Sequence, residues 1–199
     1  MTELWSLENE IYDSGVSVLC GVDEAGRGPL AGPVCAAACI LPRGLVIAGL
    51  NDSKKLTEKK RDELFEIITE KALDYGIAFG TVEEIEEYNI LNATFLAMNR
   101  AIAKLNVIPE LALIDGNRVN GIEIPARAIV KGDASCADIA AASILAKVTR
   151  DRYMLEMAEK YPEYHFEQHK GYGTKLHYEA LREFGPSPIH RLSFLKKMH

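Results

Sequence analysis

Residues Val16 to Pro33, VSVLCGVDEAGRGPLAGP, contain the pattern from which the fold follows. A short apolar run ends in two adjacent carboxylates, Asp23 and Glu24, and a glycine-rich bend comes directly after them. Gly26 and Gly28 place no β-carbon in this bend, so its N–H groups can approach a ligand closely. Carboxylates for a cation beside bare N–H groups for an oxygen-rich ligand are typical of a metal-dependent phosphoryl-transfer site.

The segments that follow alternate between strand-like and helix-like patterns. Ser17–Val22 and Val34–Leu41 predict a β-hairpin, because both are short and apolar and a Gly/Pro-rich connection joins them. Further strands are predicted at Gly76–Gly80, Leu111–Ile114 and Ala126–Val130. Three helices are predicted in the first half of the chain: one from a Thr57 cap to about Tyr75, a short one that begins at the Thr81-x-x-Glu84 capping box, and one from an Asn89 cap that stops at Pro109. Two more are predicted in the second half: one over Ala137–Lys160, and the last helix from a Thr174 cap to Gly185-Pro186. This order predicts an α/β fold, a mixed sheet with helices packed against it.

Length and composition are those of one globular domain. The chain has 199 residues, 48% hydrophobic and 26% charged, which predicts a single domain over residues 1–199. Residues 1–10 lack the regions of a secretory signal, and no apolar run is long enough to cross a bilayer. The four cysteines have no zinc-ligand spacing, so we expect buried, reduced thiols rather than a metal or redox centre: Cys20, Cys35, Cys39 and Cys136. These features predict a cytoplasmic protein that binds no membrane.

The distribution of charge leaves the class of partner open. A net charge of −6 argues against a nucleic-acid partner. Basic residues nevertheless gather in patches, among them Lys147-Arg150-Arg152 and His190–Lys197, and such patches can hold a phosphate backbone.

Acidic residues end three separate predicted strands: Asp23-Glu24, Asp115 and Asp133. Ligands of open α/β sheets bind outside the carboxyl ends of the strands, so these acids can converge there. Converging carboxylates repel unless a cation lies between them, and an all-oxygen ligand set favours Mg²⁺ or Mn²⁺ over zinc. Because neighbours on a regular strand point to opposite faces, Asp23 and Glu24 share a site only if the strand twists or ends there. The alternative is that each acid is a solvated strand end or, for Asp133, a helix cap.

Three other motifs admit both a structural and a functional interpretation. Asp52-Ser53-Lys54-Lys55-Leu56 is a solvated turn before a helix or a phosphate clamp. Ser143 and Lys147 share a helix face, which is solvated, paired with Asp151, or available to phosphate. In His169-Lys170-Gly171-Tyr172-Gly173-Thr174 the glycines either frame a packing tyrosine or hold its ring out to stack on a sugar or base.

The glycine-rich bend also fits the dinucleotide-binding pattern as Gly26-x-Gly28-x-x-Ala31. Its context does not fit, because Pro29 and Pro33 interrupt it and a strand follows where that fold has a helix. A dinucleotide-dependent oxidoreductase is therefore a weak alternative.

Taken in order, these motifs resemble ribonuclease HII, the type 2 ribonuclease H family, in its bacterial form. The resemblance runs from about Val16 to Gly185. Its motifs are Asp23-Glu24-Ala25-Gly26-Arg27-Gly28-Pro29, Asp52-Ser53-Lys54-Lys55-Leu56, Asp115-Gly116, Lys131-Gly132-Asp133, Ala141-Ala142-Ser143-Ile144-Leu145-Ala146-Lys147 and His169-Lys170-Gly171-Tyr172-Gly173-Thr174.

The resemblance implies a ribonuclease H-like fold, a mixed five-stranded sheet flanked by helices with a helical C-terminal region from about residue 174. It implies endonucleolytic cleavage of RNA in RNA–DNA hybrids and incision 5′ of single ribonucleotides in duplex DNA, leaving 3′-hydroxyl and 5′-phosphate ends. The acids that it implies for catalysis and for two Mg²⁺ or Mn²⁺ ions are Asp23, Glu24, Asp115 and Asp133. The substrate contacts that it implies are Gly26, Arg27 and Gly28 at the ribose 2′-hydroxyl, Tyr172 stacked at the ribose–deoxyribose junction, and Lys54, Lys55, Ser143 and Lys147 at phosphates.

We therefore expect a monomeric, metal-dependent endoribonuclease whose partners are RNA–DNA hybrids and duplex DNA containing ribonucleotides. The remaining alternative in a different class is a non-catalytic hybrid-binding protein, against which the four intact acids argue. The sequence does not indicate whether a sliding-clamp protein binds the chain.

Overall fold

The structure, a computed structural model, describes residues 3–51, 53 and 56–196. Five strands form one sheet, with bounds β1 Leu19–Ala25, β2 Val34–Ile40, β3 Asp74–Gly80, β4 Leu111–Asp115 and β5 Ala126–Ile129. Their order across the sheet is β3-β2-β1-β4-β5, with β1–β2 and β2–β3 antiparallel and β1–β4 and β4–β5 parallel. The sheet is mixed, as predicted, and the ends of β1 and β4 lie side by side.

Seven α-helices accompany the sheet in the described part of the chain: α1 Ser6–Asp13, α2 Glu58–Lys71, α3 Val82–Ala103, α4 Ala137–Lys160, α5 Phe166–His169, α6 Lys175–Phe184 and α7 Leu192–Leu195. Short 3₁₀ turns lie at Glu3–Trp5, Gly132–Ala134 and Pro162–Tyr164. The last two helices lie in the predicted helical C-terminal region from about residue 174.

Side chains alternate along each strand and therefore pack on the two opposite faces of the sheet. Cys20 and Val22 pack on the face covered by α3. Cys35 and Cys39 pack on the opposite face, against α2 and α4. The helix α4 approaches β1 closely because Gly21 has no side chain: a β-carbon there would lie 2.2 Å from the backbone of Asp138. Asp23 therefore points towards α4, and Glu24 towards α3.

Three features differ from the predicted elements. The helix α2 ends at Lys71 rather than near Tyr75, because the Leu73 N–H donates to the Ile40 carbonyl at 2.8 Å and draws the chain into the sheet. Two predicted helices join as α3, with a kink at Asn89, whose side chain still caps the second part. The helices α1, α5 and α7 were not predicted, and α7 rather than α6 is the last helix.

All four cysteines are buried and free, as predicted. Among the residues that the structure describes, no helix combines the length and apolar character needed to cross a membrane.

Candidate active site

Three carboxylates from separate segments meet on the face of the sheet covered by α4. Asp23 lies near the end of β1, Asp115 ends β4, and Asp133 lies in the 3₁₀ turn before α4. Each offers an oxygen, and these three oxygens lie within 4.8 Å of one another. The convergence expected from the strand ends is therefore present for these three acids.

The loop before α4 is fixed to the strand that ends in Asp115. The Asp115 Oδ1 accepts hydrogen bonds from the N–H groups of Gly132 at 2.8 Å and Asp133 at 3.4 Å. Lys131 turns the chain with a positive φ of 58°. These contacts bring Asp133 beside Asp115 although the two residues are 18 positions apart in the chain.

The electrostatics of this cluster fit a hard divalent cation. Burial, followed by the neighbouring Glu24 and Asp115 carboxylates, raises the pKa of Asp23 well above its usual value, and a hydrogen bond from Ser143 lowers it in part. Crowded acids that repel in this way are the donor set that Mg²⁺ or Mn²⁺ satisfies. The residues present therefore fit the divalent ion expected from the sequence.

Glu24 lies outside this three-carboxylate cluster. Its Oε1 accepts a hydrogen bond from the Arg27 guanidinium at 3.2 Å. Together with Arg27, Asp115 and Arg118 it lines a cavity of about 310 Å³, to which Phe95 of α3 also contributes. Neighbouring residues on a strand point to opposite faces, so Glu24 approaches Asp115 from the face of the sheet opposite to Asp23.

The glycine bend and the distant tyrosine are brought together. Tyr172 is 44% exposed, and a β-carbon on Gly28 would lie 3.7 Å from its ring. The Leu30 N–H donates to the Gly171 carbonyl at 2.8 Å, so the two loops are joined through their backbones. Gly26 has a φ of 95°, a conformation that side chains rarely adopt. The two predicted glycine motifs are thus in contact and form one surface.

The two predicted phosphate contacts that the structure describes, Ser143 and Lys147, both have partners within the protein. The Ser143 hydroxyl is buried, 2.7 Å from the hydroxyl of Ser53 and hydrogen-bonded to Asp23. The Lys147 Nζ donates to the Asp151 carboxylate at 2.7 Å, which is the ion pair that the sequence left open as an alternative. Lys54 and Lys55 lie outside the described residues.

Two arginines of the predicted basic patches do not face solvent. Arg150 and Arg191 are 1% and 0% exposed and bond to backbone carbonyls, so the basic patches are smaller than expected from the sequence. The sequence placed Arg150 in a basic patch with Lys147, but only the fold shows that its partners are carbonyls of remote loops. Ser53 was singled out only as part of its loop motif, without its contact to Ser143.

Comparisons with known proteins point to one family. A family model for ribonuclease HII matches residues 20–197. A ribonuclease HII of Endomicrobium trichonymphae is 58% identical over 194 residues, covering 97% of this chain and 92% of that protein. The crystal structure of ribonuclease H2 from Pyrococcus horikoshii OT3 superposes with a TM-score of 0.75 at 29% identity, covering 89% of this chain and 93% of the other. The RNase HII of Archaeoglobus fulgidus, solved as a complex with PCNA, gives 0.72 at 26% identity, covering 90% and 94%.

The mixed sheet and the three converging aspartates define the class of protein, which is a metal-dependent hydrolase of ribonuclease H-like fold. The family match, over most of the chain, narrows this class. The chain belongs to the ribonuclease HII family, whose members cleave RNA in RNA–DNA hybrids with divalent metal ions.

Proposed function

We propose that the chain is an endoribonuclease that cleaves RNA in RNA–DNA hybrids and incises 5′ of single ribonucleotides in duplex DNA by a two-metal-ion hydrolysis. The products are 3′-hydroxyl and 5′-phosphate ends. One observation carries the proposal: oxygens of Asp23, Asp115 and Asp133 lie within 4.8 Å of one another although the residues are remote in the chain.

The proposed metal ligands are these three aspartates together with Glu24. At such a site two divalent ions, Mg²⁺ or Mn²⁺, supply activation of water and stabilisation of the departing 3′-oxygen. The protein's part is to hold the carboxylates in place: Gly132 and Asp133 N–H groups fix Asp115, and Ser143 fixes Asp23. Glu24 lines the same cavity as Asp115 and would complete the ligand set.

Substrate discrimination is assigned to the glycine bend and Tyr172. The backbone groups of Gly26, Arg27 and Gly28 contact the ribose 2′-hydroxyl, which is the group that separates RNA from DNA at one position. A donor left unpaired by a deoxyribose costs about 1–3 kcal/mol, which disfavours DNA. The exposed Tyr172 ring stacks at the ribose–deoxyribose junction. Phosphates are contacted by Lys54, Lys55, Ser143 and Lys147.

Domain extent, oligomeric state and compartment are proposals that the sequence suggests. We propose one catalytic domain over residues 1–199 that acts as a monomer in the cytoplasm. Since the Archaeoglobus fulgidus relative was solved with PCNA, a sliding clamp is the protein partner to test.

The test is incision of a DNA duplex that contains one ribonucleotide, beside an all-deoxy duplex of the same sequence. We expect a single cut 5′ of the ribonucleotide with Mg²⁺ or Mn²⁺, and none on the control duplex or in EDTA. Ends are read by ligation and phosphatase treatment. Binding without any metal-dependent cut would favour the non-catalytic alternative and reject the enzyme.

A further inference from the structure

Two buried guanidinium groups hold the glycine bend from behind. Arg191 donates to four of its carbonyls, those of Gly26, Arg27, Pro29 and Gly32, at 2.6–3.0 Å. Arg150 donates to the carbonyls of Pro33, Ala31 and Lys170 at 3.0–3.1 Å. Within the described part of the chain, no carboxylate forms an ion pair with either arginine. These hydrogen bonds of both side chains all go to backbone carbonyls, and they fix the conformation of the backbone.

The bonds to Arg191 determine where the N–H groups of the bend point. In a trans peptide the C=O and N–H are antiparallel, and the described chain contains no cis bond. Because the carbonyls of Gly26 and Arg27 point to Arg191, the N–H groups of Arg27 and Gly28 point away from it. No described residue accepts a hydrogen bond from either N–H, whereas those of Leu30 and Gly32 donate to backbone carbonyls at 2.8 Å.

The positive charge of Arg191 strengthens the attraction of these N–H groups for a ligand. Burial lowers the pKa of Arg191 to about 9, so the guanidinium is still charged at neutral pH. A cation behind two outward N–H groups, in a region of low dielectric, increases their attraction for an oxygen-rich or anionic ligand. This arrangement selects for a ligand oxygen in front of Arg27 and Gly28.

Arg150 sets the distance between the bend and the tyrosine. Its bond to the Lys170 carbonyl ties it to the Gly171–Tyr172 turn, and its guanidinium carbon lies 6.0 Å from the Tyr172 ring centroid. A β-carbon on Gly26 would lie 1.9 Å from its Nε, so the glycine is required for this packing. One side chain thus contacts both the glycine bend and the loop that contains Tyr172.

We propose that Arg191 and Arg150 are positioning residues for ribonucleotide recognition, which turn the N–H groups of Arg27 and Gly28 towards the ribose and fix the bend relative to Tyr172. The inference rests on the proposed function, in which this bend and Tyr172 contact the ribonucleotide. Both arginines act through the backbone and touch no reacting atom.

The test compares Arg191→Lys with Arg182→Lys, the same substitution at an exposed residue of α6. A lysine keeps the charge but its single nitrogen cannot hold four carbonyls in the planar pattern of a guanidinium. We expect R191K to lose at least about tenfold in kcat/KM on the single-ribonucleotide duplex. The Mn²⁺-induced rise in Tm, which reports the carboxylate cluster, is retained, and R182K matches wild type.

Binding in EDTA separates positioning from stability. We expect wild type and R182K to prefer the ribonucleotide duplex over the all-deoxy duplex, and R191K to lose most of that preference. If R191K keeps the wild-type preference and rate, the positioning role is wrong while the proposed function stands. If wild type itself shows no preference, the bend does not recognise ribose, and both the recognition and the positioning role are rejected.

Amide hydrogen exchange of the wild-type protein tests the inference even if R191K fails to fold. We expect rapid exchange at Arg27 and Gly28 and slow exchange at Leu30 and Gly32. The ribonucleotide duplex should slow exchange at Arg27 and Gly28 more than the all-deoxy duplex does. Protected Arg27 and Gly28 amides in the free protein, or no slowing by the ribonucleotide duplex, would overturn the proposal.

Discussion

At the scale of single residues, Asp115 has both a structural and an electrostatic part in the site. Its carboxylate accepts two backbone N–H groups of the loop that contains Asp133, and its charge contributes to the raised pKa of Asp23. An amide at this position can accept the same hydrogen bonds through its oxygen but brings no negative charge. The substitution Asp115→Asn therefore separates the two parts.

We expect Asp115→Asn to reduce cleavage by at least about 100-fold, since groups that only support a metal ligand already contribute 10–100-fold. Affinity for the ribonucleotide duplex in EDTA should stay at the wild-type value. Because one repelling charge is gone, the metal-free variant should be at least as stable as wild type, and Mn²⁺ should raise its Tm less. The measurements are incision rate, fluorescence anisotropy and thermal melting.

Asp13→Asn is the matched control, since Asp13 is an exposed aspartate with a surface ion pair to Arg43. It should cleave at the wild-type rate and keep the Mn²⁺-induced shift in Tm. Cleavage by Asp115→Asn near the wild-type rate would show that Asp115 is not a metal ligand.

At the scale of elements, α1 caps α4, the helix that positions Ser143. Cys136 at the start of α4 provides no side-chain cap, and Glu8 of α1 accepts the Asp138 N–H at 3.0 Å instead. Burial raises the pKa of Glu8 to about 7 and that of the adjacent Asp138 well above its usual value. One oxygen of each carboxyl is buried without a hydrogen-bond partner. The contact therefore orients α4, and its hydrogen bond favours the ionised form of Glu8, but burial of that charge outweighs it, so the ionised carboxylate costs stability.

The sign of the pH dependence follows from the raised pKa. Glu8 contributes stability below its unfolded value of about 4.5, and this contribution is lost as pH rises towards about 7. Glu8→Gln keeps an acceptor and removes the titration. We expect the variant to exceed wild type in free energy of unfolding by roughly 1–3 kcal/mol at pH 8 and by much less at pH 5, as measured by urea denaturation.

Glu10→Gln, at an exposed position of the same helix, is the control and should leave the pH dependence unchanged. A difference between Glu8→Gln and wild type that is equal at pH 5 and pH 8 would contradict the assigned titration.

At the scale of the whole molecule, the sequence predicted where the acids at the ends of strands lie. It did not predict contacts that are made by backbone groups. Asp23, Asp115 and Asp133 were expected to converge because each follows an apolar run, and parallel strands end at one edge. The burial of Arg150 and Arg191 was not predictable, since their partners are carbonyls, which every residue carries and no side-chain pattern marks. The early end of α2 has the same origin, a backbone bond between Leu73 and Ile40.

The C-terminal region is joined to the site by histidines that the fold keeps neutral. Ser187 N–H donates to His190 Nδ1, so the proton of His190 lies on Nε2 and is donated to His177 Nε2 at 2.9 Å. His177 then donates from Nδ1 to the Tyr172 carbonyl at 2.9 Å. Arg191 follows His190 directly in the chain, so this histidine pair supports both the tyrosine turn and the arginine that holds the glycine bend.

Acid should therefore destabilise the fold through these histidines. Burial lowers the pKa of both His177 and His190 to about 4, from 6.5 in the unfolded chain. A lowered histidine pKa contributes stability above pH 6.5 that is lost as pH falls towards 4, because the unfolded state binds the proton first. We expect each histidine to account for about 2 kcal/mol of lost unfolding free energy between pH 7.5 and pH 5. His190→Gln should show a correspondingly smaller loss in urea denaturation, while His165→Asn, at a half-exposed histidine with a positive φ that asparagine tolerates, should lose as much as wild type. An equal loss in His190→Gln and wild type would place the acid sensitivity elsewhere in the molecule.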